Sequence, residues 1–238
     1  MRYLLTSSPC LEDGTLNPAN GFTSILRLEL NGVRRTLFIC SDPERHEKTV
    51  FFSNEMRQCF ADSGFNFAAW EVLDGENASE ARALIDQAEF IVLAGGHVPT
   101  QNRFFQAIQL KSLLVGWRGL VMGISAGTMN SARIVYAQPE LPGEAIAPDY
   151  IRFLPGLGLT ETMVLPHYQM NKNDVLDGLR VYEDIALPDS AGRCFYALPD
   201  GSFLHGTPNA ETLRGEAWRI KDGGMERITA VGETMRLR

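Results

Sequence analysis

The chain of 238 residues is about 45% hydrophobic and carries a formal net charge of −7. That length suits one α/β domain spanning 1–238 with a sizeable buried core. The acidic balance, with no basic run interleaved with aromatics, argues against nucleic acid as a partner. No apolar segment reaches the roughly 18 to 20 residues of a membrane span. Met1–Cys10 lacks the apolar core and cleavage site of a signal peptide and reads as a first strand. Cys10, Cys40, Cys59 and Cys194 are scattered without C-x-x-C spacing. They are expected as thiols in a reducing cytoplasm, with no metal or organic cofactor required.

Apolar runs alternate with helical patterns along the first half. Tyr3–Thr6 is a short strand, and Arg35–Ser41 is a second that ends in Asp42-Pro43. A polar helix follows, with apolar residues at helical spacing over Phe51–Ser63 before Gly64. Ala68–Leu73 reads as a strand and Asn77–Ala88 as an amphipathic helix with Ala81, Leu84, Ile85 and Ala88 on one face. Glu89–Ala94 is a buried strand running into Gly95-Gly96-His97, Thr100 opens a helix through Leu114, and Gly119–Ile124 is the next strand. This alternation predicts a mostly parallel central sheet flanked by helices. Ligands of such sheets bind beyond the carboxyl ends of the strands. If the strands before Gly95 and Ser125 are neighbours, their glycine turns face one crevice.

The second half is less regular. Pro139, Pro142, Pro148 and Pro155 break it into loops, Leu157–Pro166 leads as a strand to His167, and Asn171–Leu187 reads as a helix. Cys194–Leu198, Ser202–His205, Ala217–Lys221 and Arg227–Thr229 read as short strands and hairpins.

Gly123-Ile-Ser-Ala-Gly127 joins a strand to a helix and has the G-x-S-x-G form of a nucleophile elbow. A serine in so tight a turn leaves no room for side chains two residues before and after it, which glycine resolves. The Ala126 N–H, at the head of the following helix, would point where a carbonyl oxygen becomes negative. The same five residues also suit a βα turn with no chemistry.

A serine hydroxyl needs a base. His46 lies in the charged stretch Glu44–Lys48 and His205 in the tail, both suited to surface or structural roles. His97 follows the double glycine, where it would contact substrate or act as base. His167, in Leu165-Pro-His-Tyr168, sits on a loop at a strand end, as a base would. Gly95-Gly96 can supply a second oxyanion donor, since glycine lets substrate approach closely. Neither glycine turn has a phosphate-cradling spacing. Between Ser125 and His167 the carboxylates able to orient an imidazole are Glu140, Glu144, Asp149 and Glu161, and pattern does not choose among them.

Taken in order, Leu93-Ala-Gly-Gly-His97, Gly123-Ile-Ser-Ala-Gly127, Gly156-Leu-Gly-Leu159 with Pro166-His-Tyr168, Ala197–Ser202 and Gly215–Ile220 resemble peptidase family S51, the dipeptidase E and cyanophycinase group. That group lies within the class I glutamine amidotransferase-like superfamily. The resemblance spans nearly the whole chain. It implies a flavodoxin-like three-layer sandwich with short C-terminal β-hairpins. It also implies a serine peptidase with Ser125 as nucleophile, His167 as base, and Gly96 and Ala126 N–H groups as the oxyanion hole. In dipeptidase E the acid falls roughly fifteen residues after the serine, and the same count arrives at Glu140, with Glu144 and Asp149 as alternatives. The family often has Asn where this chain has His97, a substrate-binding position, so a preference for N-terminal Asp does not transfer. An aspartate-binding arginine would be sought among Arg103, Arg133, Arg152 and Arg193. The expected substrate is a short peptide, and the expected assembly a monomer or homodimer. A small-molecule esterase or amidase, and a binding module on the same fold, are the competing readings.

Overall fold

A computed structural model describes residues 1–238. In chain order the first half holds β1 (Arg2–Thr6), α1 (Phe22–Glu29), β2 (Arg35–Ile39), α2 (His46–Asp62), β3 (Ala69–Leu73), α3 (Ala81–Gln87), β4 (Phe90–Leu93), α4 (Val98–Ala107), α5 (Leu110–Leu113), β5 (Leu120–Ile124) and α6 (Ala126–Asn130). The second half holds β6 (Ile134–Tyr136), β7 (Phe153–Pro155), β8 (Met163–Leu165), α7 (Tyr168–Asn171), β9 (Val175–Leu176), β10 (Leu179–Arg180) and α8 (Leu187–Asp189). It closes with β11 (Cys194–Ala197), β12 (Phe203–Thr207), β13 (Ala210–Arg214), β14 (Ala217–Lys221), β15 (Gly224–Thr229) and β16 (Thr234–Arg236).

The main sheet has the order β16-β13-β12-β1-β5-β4-β2-β3. Its β1-β5-β4-β2-β3 half is parallel, and β12, β13 and β16 extend it antiparallel from β1. The inner strands β1, β2, β4 and β5 are apolar over most of their length because both faces are covered, whereas the edge strand β3 is half-buried and carries Glu71. Tyr3, Leu5, Leu37, Ile39, Ile91 and Leu93 face α3, α4 and α5. Leu4, Phe38, Phe90, Val92 and Met122 face α1 and α2. The result is the expected three-layer α/β sandwich with C-terminal hairpins. A second sheet, β15-β14-β11-β8, packs Leu165, Phe195 and Ala197 with Ala126 and Met129 of α6 in a third core. That core fixes the end of β8, and so His167, relative to the serine turn. No helix is long and apolar enough to cross a membrane.

Four expectations are corrected. Residues 11–34 suggest no element by their spacing, yet Phe22 and Leu26 anchor α1 against the sheet. The single helix from Thr100 to Leu114 begins earlier, at Val98, and breaks at Gln109, whose φ of 54° is left-handed. The helix over Asn171–Leu187 is only partly present: its first part folds as the two-stranded β9–β10 hairpin, turning at Asp177-Gly178 with φ values of 53° and 82°, and helical structure is kept as a π-helix over Val181–Ala186 that runs into α8. An Asp-Gly pair in a primed turn outweighs the helical spacing around it. Finally, Cys10 and Cys59 form a disulfide, while Cys40 and Cys194 are free. The bond removes the ground on which a reducing compartment was expected.

Candidate active site

β4 and β5 are parallel neighbours with Leu93 opposite Gly123, so the Gly95-Gly96 and Ser125 turns do open into one crevice. Ser7, Ser41, Gly96, His97, Ser125 and His167 line a common cavity of about 680 Å³, at the carboxyl ends of β1, β2, β4 and β5. That volume falls within the ~300–1,000 Å³ usual for small-molecule sites.

Ser125 has φ 48° and ψ −109°, a backbone conformation few side-chain-bearing residues adopt. Such strain costs on the order of 1–3 kcal/mol and persists where the surroundings over-determine it. Here they do. The Ser125 N–H donates to Thr6 O at 3.0 Å and Ser7 O at 3.1 Å, and Thr128 Oγ1 donates to Thr6 O at 2.7 Å. The flanking glycines meet the steric demand read from the sequence. A Cβ at Gly123 would lie 2.8 Å from Thr128 N, and one at Gly127 would run into the Leu93 carbonyl. Ala126 is fully buried at the first position of α6, where backbone N–H groups have no partner within the helix. Gly96 has φ 151°, and a Cβ there would strike the Ser41 hydroxyl. Gly95 approaches the serine closely, its ideal Cβ position being 3.4 Å from Ser125 Cβ.

His167 caps α7 with φ 58°, at the end of β8. Its Nδ1 lies 2.8 Å from Asp200 Oδ1. Asp200 sits in the turn after β11, which runs parallel to β8, so the two strand ends bring these side chains together. Gln169 secures the carboxylate from the far side: its Nε2 donates to Asp200 Oδ2 at 2.6 Å, and its Oε1 accepts from Asp200 N at 3.0 Å. An ionised carboxylate only accepts, so Nδ1 donates to it, and in the neutral ring this leaves the lone pair on Nε2.

The carboxylate beside His167 is therefore Asp200 and not Glu140. Its order in the chain, 33 residues after the histidine, put it outside the Ser125–His167 interval searched in the sequence. The available signal was its position at the end of a strand that pairs with the strand bearing His167. Glu140 is an exposed residue of the proline-rich loop, but the protein crowded around its carboxyl and, second, the neighbouring Glu144 charge push that carboxyl up to about 7. Glu144 serves His97 instead. Asp149 is exposed, and Glu161 pairs with Arg133 at the surface.

His97 has both ring nitrogens engaged, Nδ1 with Thr100 Oγ1 at 2.8 Å and Nε2 with Glu144 Oε1 at 2.8 Å. Burial opposes charge on Glu144, but the N–H groups of Glu140 and Leu141 and the His97 ring together hold its carboxyl below the usual range. His97 thus has no nitrogen free to take a serine proton. His46 pairs with Asp74 and His205 with Glu29, as surface and structural histidines. Of the four arginines considered, Arg152 is tied to Asp189, Arg193 lies over the Phe153 ring, and none lines the cavity. The cations that do are Arg45, just before α2, and Lys48 in its first turn, which sequence reasoning missed within a charged stretch.

A serine in a strained strand-to-helix turn, sharing a cavity with an aspartate-held histidine, is the arrangement of a serine hydrolase. The model of peptidase family S51 matches residues 4–209, and the chain belongs to that family of serine peptidases. A crystal structure from Listeria monocytogenes EGD-e, named as a candidate peptidase E protein, shares the fold. It has a TM-score of 0.54 and 16% identity, over 100% of this chain and 98% of that one. No curated protein matches the sequence.

Proposed function

We propose that this protein is a dipeptidase that hydrolyses short peptides through a Ser125–His167–Asp200 triad. One observation carries the reading: the strained Ser125 opens into the same cavity as an imidazole whose Nδ1 is held 2.8 Å from Asp200. His167 Nε2 takes the Ser125 proton as Oγ attacks the scissile carbonyl. The N–H groups of Gly96 and Ala126 receive the developing oxyanion, a role whose loss at one donor typically costs ~10²–10³ in rate. The C–N bond then breaks, His167 passes its proton to the leaving amine, and an acyl ester remains on Ser125. Water attacks that ester with its proton going to His167, the acyl C–O bond then breaks, and His167 returns that proton to Ser125 Oγ as the carboxylic acid leaves.

His97 borders the substrate space but is committed to Thr100 and Glu144, so its part is to shape the site.

A dipeptide library with free termini tests the reading. Wild-type enzyme is expected to cleave a subset of its members, and Ser125→Ala to cleave none while keeping its fold. Hydrolysis that survives in Ser125→Ala contradicts the mechanism. Hydrolysis of acyl esters with none of any peptide contradicts the peptidase assignment.

A further inference from the structure

We propose that the wall of the cavity formed by Leu11, Phe52 and Met56 is a specificity surface for a large apolar side chain beside the scissile bond. The proposal rests on the peptidase reading above and names the substrate class it would act on.

The wall is built from two segments remote in sequence. Leu11 belongs to the loop after β1, and Phe52 and Met56 to α2. The Cys10–Cys59 disulfide joins these segments beneath it, with Cys10 Sγ 4.0 Å from Met56 Sδ. All of them line the cavity that contains Ser125 and His167. Phe52 is 50% exposed and Leu11 40% exposed. Large apolar groups left open to water inside a cleft, continuous with a nucleophile, fit a ligand that covers them.

The charges around the wall point the same way. Glu12, Asp42 and Glu55 line the cavity with only two cations, Arg45 and Lys48. Arg45 is paired with Asp42 at 3.4 Å, and the Lys48 ammonium lies 5.6 Å from the Phe52 ring centre. An acidic substrate side chain would meet more like charge than opposite charge here, and like charges at close range disfavour binding. A leucine or phenylalanine side chain would exchange water for the ring, the thioether and the disulfide. Covering about half of such a side chain gives roughly a tenfold gain.

The test measures kcat/KM for Leu-Ala, Phe-Ala, Ala-Leu, Ala-Phe, Asp-Ala, Ala-Asp and Ala-Ala. Labelling of Ser125 by a fluorophosphonate confirms an assembled site in each preparation. The best apolar member is expected to exceed both aspartyl members and Ala-Ala by about tenfold or more. Phe52→Ala is expected to reduce the ratio of that member to Ala-Ala by about fivefold, and Phe52→Leu to restore most of it. Preference for an aspartyl member, or an unchanged ratio in Phe52→Ala, overturns the proposal while leaving the peptidase reading intact. A labelled enzyme that cleaves none of the peptides overturns the peptidase reading itself.

Discussion

Asp200 Oδ1 lies 2.8 Å from His167 Nδ1, and Gln169 holds the same carboxylate through two further hydrogen bonds. The imidazole is thereby fixed in one tautomer, with Nε2 as its only free base. Asp200→Asn is expected to lower kcat on the order of 10⁴-fold by favouring the wrong tautomer. Glu140→Gln is expected to stay within a few-fold of wild type. Steady-state kinetics on a cleaved dipeptide checks both, and the reverse ranking would return the acid to Glu140.

His97 and His167 make opposite predictions although both border the cavity. His167→Gln removes the proposed base, with an expected loss of about 10⁴–10⁶ in kcat. His97→Gln loses a clamp between the Gly95-Gly96 turn and Glu144, and about tenfold or less is expected. Glu144→Gln should fall in the same range as His97→Gln, because the two side chains act through one hydrogen bond. A His97→Gln loss as large as that of His167→Gln would make His97 a catalytic residue.

How much of this was legible in the sequence varies with the physics that fixes each part. The β1-to-β5 alternation could be read because strands covered on both faces are apolar over most of their length and separated by helical spacing. The serine turn was legible because backbone crowding demands glycine at two fixed offsets. Asp200 was not, because it reaches His167 only through the β8–β11 pairing, across 33 residues of chain. The Cys10–Cys59 bond is likewise a tertiary contact spanning 49 residues. The β9–β10 hairpin was missed for a local reason: the Asp177-Gly178 turn sits inside a stretch where Val175, Leu179, Tyr182 and Ala186 recur at helical spacing.

Glu140 makes stability depend on pH. Its carboxyl is pushed up from 4.5 to about 7, chiefly by the protein crowded around it and then by Glu144. Between those values the folded chain keeps a proton that the unfolded chain has released, so stability falls as pH rises through this window. Glu140→Gln removes that fall. Urea midpoints at pH 5 and pH 8 should show the variant gaining on wild type at the higher pH. A constant difference between the two proteins would contradict the shift.

The disulfide should contribute measurably to stability. Linking residues 49 apart constrains the unfolded chain by about 4 kcal/mol on a loop-entropy account. Reduction, or Cys10→Ser, is expected to lower the urea midpoint, while Cys40→Ser and Cys194→Ser should not remove the response to reductant. Identical midpoints with and without reductant would show that the two sulfurs are not bonded in solution.

The central claim is that Ser125 is an activated nucleophile, and active-site titration tests it most directly. Intact mass and peptide mapping after treatment with a fluorophosphonate are expected to show one adduct per chain, on Ser125, with labelling strongly slowed in His167→Gln and Asp200→Asn. A folded wild-type protein that remains unlabelled at Ser125, or labels there equally fast in both variants, would contradict the account.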